Sequence, residues 1–151
     1  MSENLLIDNT ISVEEVKKRW SQTYNDSGKP DWSHIFPFYH DNIIFQDSIQ
    51  RIEGKVEFEK MCNRLAKRCK SLRMDIYHIV ANNNTLMMDW KMTMSFRMFP
   101  EKPIYGATRL TFNSEGFIIE QRDYYDLWGD IYNEIPLVRR AYRWFMRVFF
   151  G

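Results

Sequence analysis

Two aspartates stand where a carboxylate could exchange a proton with a bound molecule. Asp47 closes the short apolar run Ile43 to Asp47. Asp123 lies within Phe117 to Asp126, where alternation puts Gln121, Asp123 and Tyr125 on one face. Apolar surroundings penalise the charged form of a carboxylate, so its pKa rises toward neutrality, where general acid or base catalysis is effective. Each residue also has a plainer use: Asp47 can cap the turn after its strand, and Asp123 can pair with Arg122 or another surface cation. A third acid, Asp89, shares its face with Lys91, Thr93, Ser95 and Arg97, opposite the apolar Leu86, Met88, Trp90, Met92, Met94, Phe96 and Met98. Alternation turns it out of the core unless a bulge intervenes.

Trp20, Tyr24 and Trp90 supply aromatic surface with a polar edge, and Met92 belongs to a methionine-rich strand whose flexible thioethers suit a pocket that adapts to an apolar ligand. Core packing is the plainer role for all four. His34, His40 and His78 have no ligand spacing with Cys or carboxylates, so no metal is expected. The chain has no Gly-rich phosphate loop, activated Ser or Cys pattern, or nucleic-acid motif, and we expect neither a cofactor nor nucleic acid as partner.

The elements that must position these residues follow from periodicity. Ser12 with Glu15 makes a capping box ahead of Val13, Val16, Trp20 and Tyr24, predicting a helix that ends near Asn25. Asp31 can cap a second helix through Trp32, Ile35, Phe36 and Tyr39, which Pro37 must shorten or kink. Ile43 to Asp47 is a short strand. Gly54 opens a third helix with Phe58, Met61, Cys62, Leu65, Ala66 and Cys69 as its buried stripe. From Leu72 the period changes to 2, with strands at Leu86 to Met98, Ile104 to Phe112 and Phe117 to Asp126, and turns at Asn82–Asn84 and Asn113–Gly116. Helices followed by a meander of strands predict an α+β fold, with helices on one face of a curved, mixed or antiparallel sheet.

A chain of 151 residues, 44% of them hydrophobic, suffices for one domain with a real core. Cys62 and Cys69 lie about 10 Å apart along one helix, too far to bridge. With no leader-like N-terminus and no long apolar run, a soluble, cytoplasmic chain is the expectation. The 21 basic and 20 acidic residues nearly cancel, yet Ile135 to Gly151 holds Arg139, Arg140, Arg143 and Arg147 and no acid. We therefore divide the chain into a domain at 1–134 and a basic, aromatic helical tail at 135–151. Three roles suit the tail: a lid on the domain, a contact in a homodimer, or a segment on an anionic membrane surface.

The order of elements, with Tyr39-His-Asp-Asn-Ile-Ile-Phe-Gln-Asp47 before Gly54 and Ser114-Glu-Gly-Phe-Ile-Ile-Glu-Gln-Arg-Asp-Tyr-Tyr-Asp126 after it, resembles the nuclear transport factor 2-like superfamily of α+β cones, with the SnoaL-like branch nearest. The run Arg122 to Leu127 followed by Ile135-Pro-Leu is similar to limonene-epoxide hydrolase. The resemblance implies three N-terminal helices packed on the concave face of the sheet. It implies roles as well: Asp47 matches the general base of ketosteroid isomerase and a water-holding Asn of limonene-epoxide hydrolase, and Asp123 matches the hydrolase's general acid or base. Asp89 matches the hydrolase's first acid, but Met87 replaces its bridging Arg and Phe45 its water-holding Tyr, which disfavours a straightforward epoxide hydrolase. Thr108 takes the place of the isomerase's oxyanion-stabilising acid, and Tyr24 lies one residue from its oxyanion Tyr.

Two functions follow as expectations. One is an acid/base enzyme of the isomerase, cyclase or hydrolase type acting on a small hydrophobic, oxygenated molecule, with Asp47 as base, Asp123 as partner acid, and Trp20, Tyr24, Trp90, Met92, Thr108 and Tyr125 around the pocket. The other is a non-catalytic ligand-binding or protein-interaction module of the same fold.

Overall fold

The computed structural model describes residues 11–97, 101–131 and 135–151. Met98, expected on the inner face of its strand, lies outside them. Helix α1 (Val13–Ser21) starts as expected, Ser12 Oγ accepting the Glu15 amide at 3.1 Å. The Glu15 side chain reaches forward to Arg19, so an i,i+4 ion pair replaces the second half of the capping box. The helix stops short of the expected Asn25, and Tyr24 forms an isolated bridge with Pro30.

The second expected helix needs correction. Asp31 Oδ1 accepts the Ser33 amide at 2.8 Å in a turn just ahead of the segment, but the cap position is Trp32, which makes no side-chain cap bond. With Pro37 inside, however, the segment is a 3₁₀ stretch, Ser33–Phe38, and Tyr39 already belongs to strand β1 (Tyr39–Gln46). Two α-helices and a 3₁₀ stretch thus stand where three helices were expected. The short strand β2 (Arg51–Glu53), unforeseen, pairs antiparallel with β1. Helix α2 (Lys55–Arg68) begins after Gly54, whose φ of 89° is strained for any residue with a side chain. It buries Phe58, Cys62 and Ala66, the Phe58 side chain alone contributing about 1.5–3 kcal/mol when fully removed from water.

Strands β3 (Cys69–Asn82), β4 (Thr85–Phe96), β5 (Lys102–Phe112) and β6 (Ile118–Tyr125) form the meander. A π-helical turn, Leu127–Ile131, follows, and then helix α3 (Pro136–Phe150). The six strands make one curved, unclosed mixed sheet in the order β2-β1-β6-β5-β4-β3, in which β1 and β6 run parallel and the other neighbours antiparallel. This is the expected α+β architecture. One core joins Val16 and Trp20 of α1, Phe36 of the 3₁₀ stretch and Phe58 of α2 to Leu72, Leu86, Met88, Trp90, Leu110, Phe112 and Ile118 of the sheet.

Candidate active site

Register brings the site together, because residues opposite one another on neighbouring strands point to the same face. Met88 of β4 faces Thr108 of β5, which faces Asp123 of β6. One row along, Trp90 faces Gly106, which faces Tyr125. Leu110 faces Gln121, and Gln121 faces Phe45 of β1. Asp123, Thr108, Gln121, Trp90 and Tyr125 therefore share the core side of the sheet.

Their polar groups form one connected chain. The Trp90 Nε1 proton goes to Thr108 Oγ1 at 2.8 Å, and Thr108 Oγ1 donates to Asp123 Oδ1 at 2.7 Å. An indole N–H can only donate, so the Thr108 hydroxyl must accept there and spend its own proton on Asp123. From the other side, Tyr39 OH donates to Gln121 Oε1 at 2.5 Å, which leaves Gln121 Nε2 to donate to Asp123 Oδ1 at 3.0 Å and Oδ2 at 3.3 Å. Donors thus converge on Asp123 from both directions, each bond polarising the next.

Among the described residues no cation pairs with Asp123. The surface pairing open to it in the sequence does not form. Asp123 is only half-buried as a residue, yet its carboxyl lies deep enough for desolvation to outweigh the Thr108 and Gln121 hydrogen bonds. Its pKa is pushed up to about 6, with the nearby charge of Asp47 adding to the rise. Burial likewise drives the Tyr39 hydroxyl well above its ordinary range, keeping it a donor to Gln121.

Asp47 sits at the far side of Tyr125 and does two things. Its Oδ1 accepts the Ile49 and Gln50 amides at 2.8 Å each, the turn-capping role, and its Oδ2 accepts the Tyr125 hydroxyl at 3.1 Å. Burial, followed by the Asp47 charge and hydrogen bond and the Asp123 charge, lifts the Tyr125 phenol well above its ordinary range. The Tyr125 ring lies 6.5 Å from that of Trp90.

Other expected site residues fall elsewhere. Tyr24 is 37% exposed, and its hydroxyl accepts the Leu72 amide at 2.9 Å at the edge of the sheet; its neighbour Thr23 is the buried one, donating to the Leu72 carbonyl at 2.7 Å. Trp20 is buried with its ring 6.3 Å from that of Tyr39, and its indole N–H has no hydrogen-bond partner among the described residues. Met92 is half-buried against the core. Asp89 lies on the outer face, 49% exposed, its Oδ1 accepting the His78 amide at 2.7 Å and its Oδ2 3.0 Å from His78 Nδ1. Its pKa is lowered by those His78 contacts. Met87 is on the same outer face, opposite Arg109, whereas Phe45 is buried. Positions 87 and 89 are therefore apart from the Asp123 network.

Sequence reasoning missed Tyr39, assigned to the end of a helix, and Gly106. A Cβ at Gly106 would stand 2.5 Å from the Trp90 ring and 2.7 Å from the Tyr124 carbonyl oxygen. The missing side chain is what lets the indole lie across β5 and reach Thr108. A glycine inside an otherwise regular strand is the available signal. Among the described residues, no cluster of His, Cys, Asp and Glu could hold a metal ion.

Comparison with known proteins places this geometry in a family and a fold. The model of the family described as uncharacterized conserved protein (DUF2358) matches residues 14–121. No curated protein matches the sequence. Among solved structures, an NTF2-like protein of unknown function from Exiguobacterium sp. 255-15 superimposes with a TM-score of 0.62 at 14% identity, over 72% of this chain and 96% of that one. A SnoaL-like polyketide cyclase assigned from Jannaschia sp. CCS1 gives 0.59 at 17% identity, over 69% and 78%. An LEH-like epoxide hydrolase of M. tuberculosis gives 0.57 at 15%, over 72% and 80%. At such identities the likeness establishes the NTF2-like, SnoaL-like fold, as the order of elements led us to expect, and not an activity.

Proposed function

The chain belongs to the family of uncharacterized conserved proteins DUF2358, and on that premise we propose that it is an acid/base enzyme acting on a small apolar, oxygenated molecule held against the inner face of its sheet. The observation that carries this reading is Asp123: a carboxyl on the core side, paired with no cation among the described residues and with its pKa pushed up to about 6, so that it both holds and releases a proton close to neutral pH. A carboxylate kept for structure alone gains nothing from a position where its charge is disfavoured.

Asp123 is the group that exchanges the proton. Thr108 and Gln121 hold its carboxyl in one orientation, and Trp90 and Tyr39 hold them in turn. Asp47, fixed by the Ile49 and Gln50 amides, is the second carboxylate, and Tyr125 lies between the two as a donor. Two carboxyls with a phenol between them suit a proton abstraction at one atom of a substrate and a return at another. Trp90 and Met92 supply the apolar wall. Three of the solved structures with this fold are described as a cyclase, an isomerase and an epoxide hydrolase, chemistry of this class, while others are described only as NTF2-like proteins of unknown function.

A second reading rests on Thr108. Its only proton is already given to Asp123, so it is not free to stabilise an oxyanion, and a non-catalytic binder would tolerate that. Two probes separate the readings: limonene oxide, an epoxide, and a cyclic β,γ-unsaturated ketone. Turnover of either, lost by about 10²–10⁴-fold in Asp123→Asn and reduced in Asp47→Asn, supports the enzyme. A raised melting temperature without turnover supports the binder. Turnover that survives both substitutions rejects the catalytic assignment.

A further inference from the structure

Helix α3 (Pro136–Phe150) buries none of its residues. A lid that closed the domain would bury one face. Tyr142 stacks on Trp128 with ring centroids 5.3 Å apart, while Leu137, Trp144, Phe145, Val148 and Phe149 are between 46% and 82% exposed. At about 100° per residue these five fall on one continuous side of the helix. Arg139, Arg140, Arg143 and Arg147 occupy the opposite arc of about 100°. No acid lies between Ile135 and Gly151, and among the described residues none of the four arginines is in an ion pair. With Trp144 and Val148 they line an open groove of about 470 Å³.

From this arrangement we infer that α3 is a docking helix for an anionic lipid surface, lying in the interface with its apolar side among the acyl chains and its guanidinium groups among the headgroup phosphates. The order of groups around the helix is the order of a membrane surface: charge, then Trp144 at the border, then Phe145 and Phe149. The helix lies on the bilayer and does not cross it. Its 15 residues span about 22 Å, less than the roughly 30 Å hydrocarbon core, and no described helix is long and apolar enough to cross a membrane. A second copy is a poorer occupant, since pairing through the apolar sides would leave the arginine arc of each helix facing water, whereas an anionic surface engages both sides of the helix.

The test is co-sedimentation of the full chain with vesicles of phosphatidylcholine alone and of phosphatidylcholine mixed with phosphatidylserine. The chain is expected to sediment with the mixed vesicles, weakly with the neutral ones, and to be released by salt. Each Arg→Gln substitution at 139, 140, 143 or 147 should weaken binding about five-fold, and Trp144→Ser with Phe145→Ser should abolish it. All these residues are exposed, so an unchanged melting temperature will confirm that the domain stays folded. Equal binding to neutral vesicles, undiminished binding after all four arginines are replaced, or a dimer that depends on Phe145 without vesicle binding would each overturn the inference.

Discussion

Replacing Asp123 by Asn tests the electrostatics on which the proposed function depends, and does so without a substrate. Folding raises this carboxyl from 3.8 to about 6, with burial as the chief cause, so the folded protein holds the proton more tightly than the unfolded chain. The sign follows. Below about pH 3.8 both states are protonated and Asp123 costs nothing. As pH climbs through 3.8 to 6 the unfolded chain ionises first and stability is lost, and above that window the loss is constant. At 1.36 kcal/mol per pKa unit the full penalty is about 3 kcal/mol, of which about 1 kcal/mol is already present at pH 4.5. Asn keeps an oxygen for Thr108 and Gln121, whose two shorter bonds both end on Oδ1, and it cannot ionise. Urea unfolding of both proteins at pH 4.5 and pH 8 should therefore show the variant gaining about 2 kcal/mol on the parent across the interval, roughly 1 M in midpoint. Reading the change between two pH values removes any constant cost of the substitution. A difference that stays flat would refute the buried, unpaired carboxyl. One that moves the other way would mean that Asp123 is held by a cation.

Gly106→Ala should destabilise the protein by about 1–3 kcal/mol, because its Cβ meets both the Trp90 ring and an immovable carbonyl. Thermal melting gives the loss and tryptophan fluorescence the displaced indole; an unchanged midpoint and spectrum would show that Trp90 does not depend on that gap. Cys62 is buried, and desolvation, then the charges of Asp123 and Glu59, pushes its thiol up to about 12. Ellman's reagent at pH 8 should leave Cys62 untouched in the native protein and label it in guanidinium, with peptide mapping to separate it from Cys69; rapid native labelling would contradict its burial.

The strands were legible because one face of the sheet packs on one core, which imposes a period of 2 over long segments, and the starts of α1 and α2 were legible from Ser12 and Gly54. Segments too short or too locally constrained to show a period were not. Strand β2 has three residues, and Pro37 converts an apolar helical pattern into a 3₁₀ stretch whose spacing looks the same up to that point. Tyr24 shows the cost of one misplaced boundary. Because α1 stops at Ser21, the next residues are extended, alternation replaces the helical repeat, and Thr23 goes in while Tyr24 goes out.

Why Asp123 faces the core and Asp89 faces away is a question of parity that neither residue's own neighbourhood answers. Across β4 and β5 the pairing keeps parity, Met88 with Thr108 and Leu86 with Leu110, so the even positions of both strands point inward. In β6, Ile118 continues that set, buried opposite Phe112, yet from Thr111 opposite Glu120 onward the register has slipped by one residue. The slip inserts Ile119 as an extra residue, a β-bulge of the kind that re-aims side chains beside functional sites. Past it the odd positions Gln121, Asp123 and Tyr125 turn inward, and Arg122 goes to the other face, where its guanidinium lies over the Tyr124 ring. Without the bulge, Arg122 would take the inner position and Asp123 the outer one. The candidate acid thus owes its place to an irregularity in hydrogen-bond register, which pairing across the sheet reveals and the alternation of a single strand does not.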